Sequence, residues 1–412
     1  MPPQLVSLLG LAVIITCAWA ISRNRRMFPW RTVAWGLGLQ CTFAILILKT
    51  SAGVSVFEVA REAAGKISEF ATEGGKMVFG SLADPAFLGE QWGPNHAFIL
   101  AITVTTTIVV VSALSSLLYH WGILQRIVRA MALVMQKSMR TSGSETLAAV
   151  ANIFMGQTEA PLLVKPYLRT MTQSELLAMM TGGMATIAGS VLIVYVSFGA
   201  IPGHLLTASV MSAPAALMIA KILLPETEIS ETANHAPLVI EKTATNGIDA
   251  LCQGASDGMR LSMNVIAMLI AFVALIAMAN YLLQLLLTPF SIELTLQQLV
   301  GWINAPFAWL IGVPAKDCSL VGQMLGERIV LNEFFGYVTL TQHWDQLDER
   351  SRTLATYALC GFANFGSVAI QIGGIGVLVP ERRNDLARLG LLSMVGGLLT
   401  CYTTAAMVGI LL

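Results

Sequence analysis

The fold turns on the stretch Asn152-Ile153-Phe154-Met155-Gly156-Gln157-Thr158-Glu159-Ala160-Pro161. It gathers amides, a hydroxyl and a carboxylate, broken by glycine and proline, inside a chain that is otherwise strongly apolar. At membrane depth, polar and helix-breaking backbone is tolerated only where it lines a cavity or is buried in protein, so this stretch marks a functional site.

The background confirms the anomaly. Of 412 residues, 55% are hydrophobic and 12% charged, and mean hydropathy is +0.71. Soluble domains carry about 25% charged residues, so a soluble globular protein is a poor fit. Apolar runs of roughly 20 residues recur from end to end, the mark of an all-α polytopic membrane protein. Formal net charge is zero, and nothing points to nucleic acid. Six scattered cysteines and five dispersed histidines show no disulfide or metal-ligand spacing.

About eight spanning helices are expected, near 4–21, 33–50, 97–118, 172–199, 203–224, 262–288, 353–378 and 387–411. Arg23, Arg25 and Arg26 follow the first apolar run rather than precede it, which argues for a retained helix over a cleaved signal. Three basic clusters orient the chain: Arg23 to Arg31, Arg126 to Arg140, and Arg382 to Arg388. Placing all three in the cytoplasm puts both termini outside. Val54–Val78, Trp121–Met139 and Ala250–Arg260 mix charged and apolar residues and read as interfacial helices. A hydrophilic connector, with Glu226, Glu228, Glu231, Glu241 and Lys242, separates two halves.

Two regions do not read as single spans. Residues 143–170 should enter and return from the cytoplasmic face around the quoted stretch, and residues 297–342 should do so from the outer face before Asn332 and Glu333. Interrupted segments in corresponding positions of two halves point to a transporter's binding site. Gly183-Met184-Ala185-Thr186-Ile187-Ala188-Gly189-Ser190-Val191 resembles Gly361-Phe362-Ala363-Asn364-Phe365-Gly366-Ser367-Val368, each about 30 residues beyond its hairpin carboxylate. The two copies cross in opposite directions, so the repeat is inverted. The four parts are 1–118 (scaffold helices one to three with an interfacial helix), 119–224 (first repeat), 225–288 (connector, interfacial helix and sixth helix) and 289–412 (second repeat).

Glu159 and Glu333 are the carboxylates of the two hairpins, and an ionised carboxylate is costly to bury unless paired or hydrogen-bonded. With Gln157, Thr158 and Asn332 they suit a neutral solute with several hydroxyls and a heteroaromatic ring. Two carboxylates and no embedded Arg or Lys argue against a phosphate. Glycines at 182, 183, 189, 361 and 366 allow the fourth and seventh helices to unwind, freeing carbonyls for a small cation; Asn152 and Thr186 add side-chain oxygens.

These residues resemble the concentrative nucleoside transporter family, bacterial members closely, over nearly the whole chain. The specific pieces are Ala151 to Pro161, Asn332-Glu333-Phe334, Cys360-Gly361-Phe362-Ala363-Asn364 and Pro380-Glu381-Arg382-Arg383. The resemblance implies that Gln157, Thr158 and Glu159 meet a nucleobase and that Val191 lines the same pocket. It implies that Glu333, Asn364 and Ser367 bind ribose hydroxyls, with Phe362 nearby. The implied sodium ligands are the side chains of Asn152 and Thr186 and the carbonyls of Met155 and Ile187. It further implies a homotrimer in the lipid bilayer of the bacterial inner membrane, with a rigid scaffold and a mobile transport unit; there the basic clusters put both termini in the periplasm. The expected function is sodium-coupled import of uridine-, cytidine- or adenosine-class nucleosides by elevator-like alternating access. A proton-coupled version is the alternative; with no catalytic arrangement in the spans, an intramembrane enzyme is a distant one.

Overall fold

The computed structural model describes residues 2–92, 99–233, 244–290 and 294–412. Among these the chain forms α-helices and short 3₁₀ turns without a strand, which keeps backbone hydrogen bonds inside each segment. The first part comprises α1 (Pro3–Ile21), α2 (Trp30–Lys49), α3 (Ser51–Phe79), α4 (Pro85–Trp92), α5 (Leu100–His120) and α6 (Ile123–Met139). Next come α7 (Gly143–Ala151), α8 (Ala160–Leu163), α9 (Gln173–Ala185), α10 (Gly189–Ser197), α11 (Pro202–Leu223) and α12 (Gly247–Leu287). The last part holds α13 (Leu296–Leu310), α14 (Cys318–Val330), α15 (Glu333–Gln342), α16 (Glu349–Leu359), α17 (Phe365–Leu378) and α18 (Arg383–Leu411).

Among the described residues six stretches are long and apolar enough to cross a bilayer: α1, α2, α5, α9 with α10, α11, and α18 with its preceding turn. The apolar part of α12 (Val273–Leu287) and α17 are shorter. Burial sorts the long stretches. In α9–α10 and α11, 94% and 89% of the apolar window is buried, against 22% in α2 and 28% in α5. The inner helices can therefore carry polar side chains, while the outer ones present Leu46, Val273, Leu282 and Leu286 to their surroundings, an apolar surface that suits lipid or another copy of the chain.

The segment after α6 leaves and returns to one place. Ser142 and Thr172 open α7 and α9 with capping boxes through Glu145 and Glu175. Ser144 Oγ donates to Glu175 Oε1 at 3.2 Å, so the two ends meet. Lys221, in the last turn of α11, joins them: its Nζ lies 2.7 Å from Glu145 Oε2 and 2.9 Å from Ser174 Oγ. The guanidinium of Arg382 donates to the carbonyls of Arg169 and Met171 and ties the returning segment to the start of α18.

The second reversal differs from expectation in extent. The residues that leave and return are those of α14 and α15, whose base is closed by Lys316–Asp348 at 2.7 Å and by the Ser351 hydroxyl donating to Asp317. α13 is a separate helix lying along α14. Pro306 sits within it and does not end it; the turn comes instead at Leu331–Asn332, where Asn332 caps α15.

The fourth and seventh helices are both broken, at Thr186–Ala188 between α9 and α10 and at Cys360–Asn364 between α16 and α17. The two breaks touch: Phe362 N donates to Thr186 O at 3.3 Å. By contrast, the interfacial helix expected at 250–260 is continuous with the sixth span in one 41-residue helix, α12. Its Gly254 and Gly258 do not interrupt it because they face α5; a Cβ on either would meet Ser112 O at 2.5 Å or Val109 Cα at 2.9 Å. Within the expected connector, Glu241 and Lys242 lie outside the described residues.

Candidate functional site

The two hairpin tips and the two helix breaks enclose one cavity of about 420 Å³. All eight expected substrate residues line it: Gln157, Thr158, Glu159, Val191, Glu333, Phe362, Asn364 and Ser367. Local chemistry sets each in place. Asn364 caps α17, accepting from Ser367 N at 2.8 Å, which leaves its amide nitrogen free to donate to Glu333 Oε2 at 3.1 Å. Glu159 Oε2 accepts from Gly156 N at 3.2 Å and so holds the tip of the first hairpin.

Side chains lining the cavity also hydrogen-bond between the halves. Gln157 Nε2 donates to Ser367 Oγ at 3.1 Å, and Tyr195 Oη donates to Glu333 Oε1 at 2.7 Å. A carboxylate offers about four lone-pair directions. The protein occupies two on Glu333, and the residue still lines the cavity, so it can accept from two more donors. Gln157 Oε1 is buried without a partner among the described residues. The wall is therefore amphipathic: acceptors and donors at the hairpin tips, Val191 and Phe362 between them.

The expected cation ligands stand outside this cavity's lining, on the turn after α7 and on the break between α9 and α10. Asn152 is buried, and its Nδ2 donates to Ala148 O at 2.9 Å while Oδ1 has no partner among the described residues. Thr186, also buried, ends α9 in an extended conformation (φ −127°, ψ 167°). Phe154 O accepts from Gly189 N at 3.3 Å, which brings the turn containing Met155 against the break containing Ile187. An orphaned amide oxygen, a hydroxyl and carbonyls released from helical pairing form an all-oxygen donor set, which fits a hard monovalent cation.

Three features escaped sequence reasoning. Tyr195 lies in the apolar run Val191–Val196 and resembles core, yet its hydroxyl holds Glu333. Asp257, Arg260 and Asn264 line the cavity from α12, at the i, i+3, i+7 spacing of one helix face. That periodicity was a usable signal, obscured by assigning 250–260 to the membrane surface. The expectation of no embedded cation also fails: Arg260 lines the cavity and Arg328 is fully buried. Chain proximity alone could not reveal either, since both depend on how α12 and α14 are placed. A smaller cavity of about 160 Å³, lined by Ser112, Ser115, Ser116 and Tyr119 of α5, adjoins the first and shares Glu159 and Asp257 with it.

Comparison with known proteins follows the same lines. Family models described as Na+ dependent nucleoside transporter C-terminus and N-terminus match residues 204–409 and 9–82, and a model described as Gate: Nucleoside recognition matches 101–202. The nucleoside permease NupC of Helicobacter pylori is 36% identical over 413 residues, covering 99% of this chain and 97% of that protein. Sodium/nucleoside cotransporter 1 of Mus musculus is 36% identical over 427 residues, covering 100% of this chain and 64% of that protein. The fold superposes on CNTnw in an inward-facing substrate-bound state with a TM-score of 0.94, at 39% identity and covering 99% of this chain and 97% of that one. These relatives are transporters and not enzymes. With three family models and full-length relatives in agreement, this multi-pass membrane protein belongs to the Na+-dependent nucleoside transporter family.

Proposed function

We propose that the chain is a sodium-coupled symporter that imports nucleosides across the bacterial inner membrane by elevator-like alternating access. The observation that carries the reading is the cavity itself, which polar side chains of both hairpins line together with the apolar Val191 and Phe362. Gln157, Thr158 and Glu159 meet the base, Val191 and Phe362 pack against the rings, and Glu333, Asn364 and Ser367 hold the ribose hydroxyls. Sodium is bound by the side chains of Asn152 and Thr186 and the carbonyls of Met155 and Ile187. It ties the first hairpin to the break in the fourth helix and so favours the hairpin's substrate-binding shape; the coupling is the difference in nucleoside affinity with and without the ion.

The moving unit consists of the two repeats, 119–224 and 289–412, carried against a scaffold of 1–118 and 225–288. Relatives support the mechanism: CNTnw has also been described in an outward-facing state, with a TM-score of 0.94 to this chain, and in an intermediate state at 0.92. On this reading the protein works as a homotrimer, with the basic clusters in the cytoplasm and both termini in the periplasm. Proton coupling is the rival, favoured by Asp257, a second carboxylate beside Glu159 at the cavity wall.

Calorimetric titration of the purified protein with uridine, at one pH, separates the two. Sodium should tighten binding at least about tenfold, and Asn152→Ala should remove that gain, a difference of about 1.4 kcal/mol. Equal affinity in sodium and choline would defeat the sodium assignment.

The hairpin position is also testable through Gly183. A Cβ there would lie 2.9 Å from Gln157 Cβ and 2.7 Å from Gln371 Nε2. Overpacking of this kind costs about 1–3 kcal/mol, so Gly183→Ala should weaken uridine binding about tenfold or more. Unchanged affinity would show that Gln157 is not held where the substrate needs it.

A further inference from the structure

The first hairpin offers its ligand mostly acceptors. Gln157 spends its amide nitrogen on Ser367, which leaves Oε1 as the atom without a partner among the described residues. Glu159 holds Gly156 N through one oxygen and, as a carboxylate, can only accept. The Thr158 hydroxyl can do either. Part of a nucleobase edge needs the reverse. Uracil and hypoxanthine present exocyclic carbonyl oxygens, and an acceptor shut away from water without a donor is costly.

α12 brings that donor. Asp257, Arg260 and Asn264 share one face of the helix, are exposed, and line the cavity. Their side chains make no hydrogen bond or ion pair with any described residue. Gln157, Glu333 and Asn364, by contrast, are already tied across the site. Asp257 and Glu159 also line the smaller adjoining cavity together, which sets this face of α12 beside the tip of the first hairpin. Arg260, three residues on, neighbours Asp257 on the helix surface. Among the described residues that line the cavity, Arg260 is the one cation and the one side chain that only donates. Its planar fork is uncommitted: Asp257, Glu159 and Glu333 line the same cavity, yet none lies within ion-pair distance of it.

We propose that Arg260 is a specificity-determining residue for nucleoside transport: its guanidinium donates to the exocyclic carbonyl of the base. The site then favours bases with an oxo group over bases with an amino group at that place. The proposal rests on the assignment of the first hairpin to the base. An amino group there turns its hydrogens toward a side chain that can only donate, and both are left unpaired as water is excluded. Glu159 and Asp257 can accept from the amino group of cytosine or adenine, so those nucleosides still bind and the preference is one of degree.

Calorimetric titration of the purified protein in sodium provides the test, with uridine against cytidine and inosine against adenosine. The members of each pair differ chiefly in an oxo or an amino group. Arg260→Met should weaken binding of the oxo members by about ten- to 100-fold, with little change for the amino members. Arg260→Lys, which keeps a charged donor, should retain part of the preference. Equal losses for all the nucleosides would make Arg260 a mere counterweight to the cavity carboxylates and overturn the proposal, as would an unchanged profile. If Arg260→Met folds too poorly to titrate, the wild type decides. It should bind uridine about ten- to 100-fold more tightly than the pyrimidin-2-one ribonucleoside, which lacks the 4-oxo group, and equal affinity would overturn the proposal. Gln157→Ala separates this proposal from the assignment beneath it. A base preference altered by Gln157→Ala but not by Arg260→Met defeats the proposal alone; a preference altered by neither means that the base does not lie at the first hairpin.

Discussion

Glu333→Gln should lower uridine uptake by about 100-fold or more while leaving the protein folded. The change keeps the shape of the side chain but replaces one oxygen with a donor. Tyr195 Oη and Asn364 Nδ2 both donate to the carboxylate, at 2.7 and 3.1 Å. A glutamine can accept one of these bonds but must face the other donor with its own NH₂. The two lone-pair directions left for ribose hydroxyls are weakened at the same time, since hydrogen bonds to a charged group contribute about 1.5–3 kcal/mol each and neutral ones about half as much. Losing roughly 3 kcal/mol corresponds to about two orders of magnitude. The Asn364 cap on Ser367 N is untouched, so α17 should keep its start. Counterflow of labelled uridine into proteoliposomes measures the effect, and uptake at the wild-type rate would remove Glu333 from the substrate site.

The second large effect concerns stability. Lys221 is 5% exposed, and its ammonium meets three acceptors: Glu145 at 2.7 Å, Ser174 at 2.9 Å and Glu226 at 3.1 Å. Three acceptors satisfy all three ammonium hydrogens, and the position in the last turn of α11 adds the favourable end of the helix dipole. Glu145 is 1% exposed. Lys221→Met therefore strands a carboxylate in the interior, a change that costs about 3–5 kcal/mol. The base of the first hairpin should loosen with it, because Lys221 bridges the starts of α7 and α9. Denaturation of the detergent-solubilised protein should show a large fall in Tm, with a substantial part recovered in Lys221→Met/Glu145→Gln. A single variant as stable as wild type would show that the ion pair is incidental.

What could be read in the chain beforehand was whatever stands out against an apolar background. Glu159, Gln157, Asn364 and Glu333 are polar groups in greasy runs, and their cost at membrane depth flagged them without any knowledge of packing. The two broken helices were equally visible, because glycines and polar residues interrupt otherwise unbroken apolar segments at both places. Tyr195 was hidden by the opposite effect: an aromatic residue in an apolar run is ordinary core until its hydroxyl is seen to reach Glu333. Lys221 lay in a terminal turn where a snorkelling lysine is unremarkable, and only tertiary placement shows it enclosed by the ends of two other helices. The continuity of α12 was missed because its composition changes from polar to apolar without any helix breaker. Composition marks where a helix sits relative to lipid, whereas its length is set by the absence of an interruption. α13 gives the converse lesson, since Pro306 looks like a break and is absorbed within the helix.

Sodium and nucleoside should cross the membrane together, and proteoliposomes holding the purified protein, at equal pH on both sides and with the membrane potential clamped, isolate that coupling. An inward sodium gradient should drive labelled uridine to an internal concentration above the external one, and dissipating the gradient should release it. Uptake that only equilibrates, at the same rate in sodium and in choline, would contradict sodium coupling and with it the assignment of Asn152 and Thr186.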